Sequence, residues 1–239
     1  MAVKAVLFDL DGTLLPMDQD HFVKYYFGML ARKMAPYGYE PEKLVNGIWT
    51  GMAAMVKNDG TRTNEAAFWQ AFSAALGPDV LGDKYLFEEF YANEFERARE
   101  ACGYTPKAAA IVETVKGLGC RVALATNPIF PAIATQKRIR WAGLEASDFE
   151  MYTTYENSRF CKPNLDYYRA ILKDMGLEPA DCLMVGNDVA EDMIARELGM
   201  QVFLLTGSLI NKENRDIGSY PHGDFDDLEA FLLERAGAR

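Results

Sequence analysis

The chain has 239 residues, 49% of them hydrophobic and 25% charged, with 35 Asp and Glu against 25 Lys and Arg and a formal net charge of −10. That balance is ordinary for a globular protein and argues against DNA, RNA or an acidic membrane surface as the main partner. It leaves an anionic small molecule open, because a bound metal or a local cation cluster reverses the field inside a site.

No run of 18 apolar residues occurs, and the first apolar segment starts almost at Met1. The reading is therefore a chain without a membrane-spanning helix or secretory signal, in the cytoplasm. Cys102, Cys120, Cys161 and Cys182 are widely spaced and form no Cys-x-x-Cys pair, which argues against a disulfide scaffold or a structural zinc site. At this length, one large domain or two smaller ones are both allowed.

Val3 to Phe8 is a nearly continuous apolar run, as expected of a strand covered on both faces of a parallel sheet. Asp9 and Asp11 follow, two residues apart, and Gly12 breaks the run. From Leu14 to about Gly103 no strand is expected. Helical stretches fall at 19–35, 41–57, 63–76 and 82–101, and turns at Asn58-Asp59-Gly60 and Gly77-Pro78-Asp79. Thr63 is a weak cap, since Ala66 rather than Glu follows three residues on; Pro41 is well placed at a helix start.

From Pro106 the texture changes to alternating helix and strand. Helices are expected at 106–117, 131–141, 164–175 and 189–198, and strands at 120–125, 150–154, 182–185 and 201–205. A loop over 211–223 precedes a terminal helix at 226–235. This series predicts an α/β fold, a three-layer parallel sheet with helices on both faces. The core is residues 1–15 plus 104–239, and residues 16–103 form a helical insert.

In such a sheet every strand's carboxyl end opens on one crevice. The first strand brings Asp9 and Asp11 there, the second Thr126 and Asn127, and the fourth Asn187, Asp188 and, a turn later, Asp192. The loop after the third carries Lys162. Clustered carboxylates need a counter-ion, and oxygen donors suit a hard divalent cation, with Mg²⁺ the one expected. A carboxylate nucleophile, a second acid, a hydroxyl and a lysine are the groups that phosphoryl transfer to an enzyme carboxylate requires. Lys162, Thr126, Asn127 and the amides near Leu10 and Gly12 are the expected phosphate contacts.

On these residues the chain resembles the haloacid-dehalogenase-like hydrolase superfamily. Asp9-Leu10-Asp11-Gly12-Thr13 matches its first motif, Thr126 the second, Lys162 the third, and Asp188 and Asp192, after Val185-Gly186, the fourth. The resemblance implies that Asp9 is the nucleophile, Asp11 the general acid and base, and Thr126 and Lys162 further catalytic groups. It places the metal on Asp9, Asp11 and a fourth-motif aspartate, and makes 16–103 an α-helical cap. One departure concerns Gly186-Asn187-Asp188 where many relatives read Val-Gly-Asp. Asp188 is favoured as the direct ligand, with Asp192 as second ligand or water-mediated support, and Asn187 is the alternative to Asp188.

Asp11 selects the chemistry, because an alkoxide leaving group needs a proton and a halide does not. The expected activity is a Mg²⁺-dependent phosphomonoesterase acting on a small phosphorylated metabolite through an aspartyl-phosphate. A phosphomutase using the same intermediate is one alternative, and a non-catalytic binding scaffold of the same fold is another. The protein is expected to be a monomer or homodimer. In the insert, Asp18, His21, Tyr25, Trp49 and Arg62 are candidate selectivity residues, with Trp69 beside them.

Overall fold

In the computed structural model, which describes residues 3–236, six parallel strands lie in the order β3-β2-β1-β4-β5-β6. They are β1 (Ala5–Phe8), β2 (Arg121–Leu124), β3 (Met151–Tyr152), β4 (Cys182–Gly186), β5 (Gln201–Leu205) and β6 (His222–Gly223). β1 is central: Phe8 pairs with Leu124 on one side and Val185 on the other. Alternate residues of the strands serve opposite faces. Val6, Phe8, Leu183 and Val185 join one buried cluster, while Ala5, Leu7, Cys182 and Met184 join a second. Two buried faces are why β1 reads as an unbroken apolar run.

The helices are α1 (Gln19–Met34), α2 (Pro41–Val56), α3 (Asn64–Leu76), α4 (Lys84–Ala92), α5 (Pro106–Gly117), α6 (Ala132–Trp141), α7 (Leu165–Met175) and α8 (Phe225–Ala236). The cluster behind Val6 and Phe8 continues through α5, α6 and α8 into Phe22, Phe72 and Phe90 of the insert. The insert is therefore joined to the core by shared apolar burial, packing chiefly against α6. α7 covers the other face through Tyr167, Tyr168 and Ile171. Thr63 caps α3 after all, its hydroxyl accepting the Ala66 N–H at 3.2 Å.

Three expectations need correction. The single helix over 82–101 breaks at Asn93, whose side chain donates to the Glu89 carbonyl at 3.0 Å, and resumes as a 3₁₀ helix over Glu94–Ala101. There Phe95, Ala98 and Ala101 are buried at three-residue spacing, the period of that helix. The helix over 189–198 is instead a turn followed by a 3₁₀ segment, Met193–Leu198. Asp188 accepts the Ala190 and Glu191 N–H groups and holds the turn. The loop over 211–223 ends in β6, which pairs beside Leu204 and Leu205 and has no apolar pattern to announce it. Residues 1–2 and 237–239 of the expected core unit lie outside the described residues.

Candidate active site

The carboxyl ends of β1, β2 and β4 meet at a cleft of about 140 Å³ lined by Asp9, Asp11, Thr126, Asn127, Asp188, Glu191 and Asp192. Lys162 stands behind it. Its Nζ, 1% exposed, is 2.9 Å from Asp9 Oδ1 and 2.6 Å from Asp192 Oδ1. Burial alone would depress this lysine, but Asp192 and Asp9 outweigh it and hold the ammonium charged, well above the ordinary lysine value. Asp9 is buried and its Oδ2 accepts from the Thr13 hydroxyl at 3.1 Å.

Asp9 and Asp11 share the cleft, although the backbone between them is not extended. It turns at Leu10, and Gly12 adopts φ +85°. A Cβ on Gly12 would stand 2.3 Å from Asn187 Nδ2, so glycine is required there for its φ and for space. The Gly12 N–H donates to the Leu15 carbonyl at 2.8 Å, and the Leu10 carbonyl accepts from Thr13 and Leu15. Gly12 thus shapes the loop, and its amide is spent inside it.

Arg138 was not singled out in the sequence. It is fully buried on α6, lies 4.3 Å over the Phe130 ring and forms an ion pair with Asp11 Oδ2. Lys137, Arg138 and Arg140 are close together on that helix and the first two are both buried, so composition does not tell which of them meets Asp11. Burial raises the Asp11 carboxyl above its ordinary value; Arg138 works against this and Asp9 adds to it. Its Oδ1 is buried with no hydrogen-bond partner.

Around β4 the residues divide their work. Asn187 is a brace: its Oδ1 accepts from Thr13 at 2.9 Å and its Nδ2 donates to the Ser208 carbonyl at 2.7 Å. Asp192 is buried and spends both oxygens, one on Lys162 and the other on the Asp188 N–H at 2.9 Å. Gly186 makes room for that carboxylate, since a Cβ there would lie 2.1 Å from it. Asp188 is half-buried on the cleft wall, its Oδ1 taken by two N–H groups. Glu191, a further residue missed in sequence, accepts from Asn127 Nδ2 at 2.9 Å and is pushed up to about 7 by burial, against Lys162. α7 ties two loops to the sheet: Tyr167 donates to the Thr126 carbonyl at 2.8 Å and Tyr168 to the Glu191 carbonyl at 2.7 Å.

Five carboxylates therefore line the cleft, with Lys162 and Arg138 against them. The excess of anionic oxygen, and the unpartnered Oδ1 atoms of Asp11 and Asn127, suit a hard cation. Among the described residues no three His, Cys, Asp or Glu side chains form a ready cage. An ion here would be completed by backbone carbonyl, water or ligand oxygens, as is usual for Mg²⁺.

The candidate selectivity residues fall elsewhere. Asp18 caps α1 through the His21 N–H at 2.8 Å, and His21 is exposed. The Tyr25 hydroxyl donates to Glu100 at 2.6 Å, Trp49 is 47% exposed against Phe27, and Arg62 pairs with Gln70. None of these five lines the carboxylate cleft; the insert reaches it through Met17, Gln19, Phe22 and Val23.

A parallel sheet with helices on both faces and paired aspartates at its central carboxyl end is an α/β fold with an acidic crevice. Residues 3–199 match the haloacid dehalogenase-like hydrolase family, and the chain belongs to it. The chain is 26% identical over 223 residues to the N-acetylmuramic acid 6-phosphate phosphatase of Pseudomonas putida, covering 90% of this chain and 87% of that one. The structure of a phosphatase of the family from Thermococcus onnurineus is similar with a TM-score of 0.60 at 17% identity, covering 96% of this chain and 98% of that one. The L-2-haloacid dehalogenase of Xanthobacter autotrophicus is similar with a TM-score of 0.58 at 16% identity, covering 97% and 98%. Phosphatase and dehalogenase share the backbone equally well, so fold alone does not choose the reaction.

Proposed function

We propose that the protein is a Mg²⁺-dependent phosphomonoesterase that works through an aspartyl-phosphate on Asp9. The observation that carries this reading is the pair Asp9 and Asp11 in one cleft, the first held by Lys162 and the second raised by burial. Asp9 attacks phosphorus and the ester oxygen departs with the proton of Asp11. Asp11 then takes a proton from the water that attacks the phosphoaspartate, releasing phosphate and restoring Asp9. Lys162, Thr126, Asn127 and the Leu10 N–H are the proposed phosphate contacts. Asp9, the Asp11 backbone carbonyl and Asp188 would hold the metal, which when bound screens the phosphate charge from the nucleophile. Asp192, with both oxygens spent, acts by fixing Lys162 and the Asp188 loop. Residues 16–103 serve as the cap domain over the cleft.

The proton role of Asp11 supplies a direct test. Asp11→Ala is expected to lose about 100-fold or more on an alkyl phosphate and much less on 4-nitrophenyl phosphate, whose leaving group needs no proton. Equal losses on the two esters would remove Asp11 from that role. A second test concerns the metal: Asp188→Asn should raise the Mg²⁺ concentration for half-maximal phosphate release by about tenfold or more, at least the loss that removing a partner of a metal ligand causes. Asn187→Ala should chiefly lower the melting temperature, since it breaks a brace. The reverse pattern would move the ligand to Asn187.

A further inference from the structure

A second cavity, of about 380 Å³, adjoins the carboxylate cleft and shares Ile129 and Phe130 with it as a common wall. α1 lines both spaces with one face: Phe22 borders the cleft, and Tyr26 and Leu30, four and eight residues on, border the cavity. Met52, Phe68, Trp69 and Phe87 also line the cavity. The volume is that of a small-molecule site, and the carboxylates line the neighbouring cleft across Ile129 and Phe130.

The polar groups around the cavity are mostly committed to one another. The Tyr26 and Tyr91 hydroxyls bond at 2.6 Å, Lys84 pairs with Glu65 at 2.6 Å, and Glu156 accepts the Ala132 N–H at 2.9 Å. The Trp69 indole N–H is buried against the Tyr155 hydroxyl. A polyol placed here would lose water and find few partners, at a cost for each unpaired hydroxyl. An apolar ring would lose nothing.

We propose that this cavity receives the alcohol portion of the phosphomonoester, and that this portion is bulky, largely apolar and best aromatic. The assignment rests on the phosphatase reading for the placement of the phosphate at Asp9. It makes arylmethyl or aryl phosphates better substrates than sugar phosphates of equal charge.

The test begins with binding, which needs no turnover. Calorimetry on the full chain with Mg²⁺ compares 2-naphthylmethylphosphonate with methylphosphonate, and the larger ligand is expected to bind at least about tenfold more tightly. Met52→Trp fills the cavity from within and Ile133→Trp fills it from the rim, where Ile133 is 37% exposed. Either folded variant should bring the ratio below about threefold, less than a single methylene contact is worth. Equal binding, absent binding, or a ratio unmoved in both variants overturns the cavity assignment. Phosphate release from 2-naphthyl phosphate and glucose 6-phosphate then separates the two claims. A retained ratio with no release from any ester keeps the aryl site and overturns the phosphatase reading. Preferred release from glucose 6-phosphate keeps the phosphatase and overturns the aryl preference.

Discussion

Asp9→Asn is expected to lower phosphate release by about 10⁴-fold or more, the scale on which removal of a covalent nucleophile acts. The amide is nearly isosteric, and its oxygen can still accept from the Thr13 hydroxyl that sits 3.1 Å from Asp9 in the wild type. Lys162 keeps Asp192 as a partner at 2.6 Å, so the variant retains a compensated ammonium and should fold. The loss is therefore chemical. Rapid quench with ³²P-labelled substrate, followed by peptide mapping, should place label on Asp9 in the wild type and none in the variant. Residual activity above a thousandth of wild type, or label on another aspartate, would remove Asp9 from the nucleophile position.

Lys162→Met is expected to have the largest effect on stability. The ammonium is 1% exposed and stands between Asp9 and Asp192, so methionine fills the stem's volume but leaves two buried carboxylates unneutralised. Breaking a buried pair in this way costs about 3–5 kcal/mol, which for a chain of this size is roughly 6 °C or more in melting temperature. The penalty has a pH signature. Burial raises Asp192 above its ordinary value, and removal of Lys162, which opposes that rise, pushes it further up. A carboxyl whose folded value lies above its unfolded one contributes stability that is present at low pH and lost as pH rises through the folded value. The variant should thus approach wild type near pH 5 and fall furthest behind near pH 8. A constant gap across that range would show that the loss is one of packing. The two variants test different sides of one arrangement: the proposed reacting carboxylate of Asp9 and the buried ammonium of Lys162 paired with it.

Much of this arrangement was legible in the chain itself. The apolar run before Asp9 announced a strand buried on two faces, and the alternation after Pro106 announced the parallel sheet. Strands in such a sheet all end at one edge, so the polar residues after β1, β2 and β4 could be placed together without coordinates. Shared local rules also explain the failures. Asn93 looks like an ordinary helical residue until its side chain is seen to take the Glu89 carbonyl. β6 is two residues long and pairs at an edge, where no alternation is needed. The turn at 189–192 is held by side-chain bonds of Asp188 and Asp192, which a periodicity count does not register.

What the sequence determined by itself is the set of chemical groups and the edge of the sheet on which they meet, because strand direction and apolar patterning are local and periodic. Tertiary structure alone decided how those groups divide their work. Arg138 rather than Lys137 or Arg140 meets Asp11 because α6 packs with that side inward against Phe130. Asp192 turns both oxygens to Lys162 and the Asp188 amide because Gly186 leaves space for its carboxylate. The insert faces the cleft with Met17, Gln19, Phe22 and Val23, while the polar residues that stood out in sequence hold caps and surface pairs. Helical spacing is the same for a face turned to the core and one turned to a ligand, and only the packing of helix against sheet separates them.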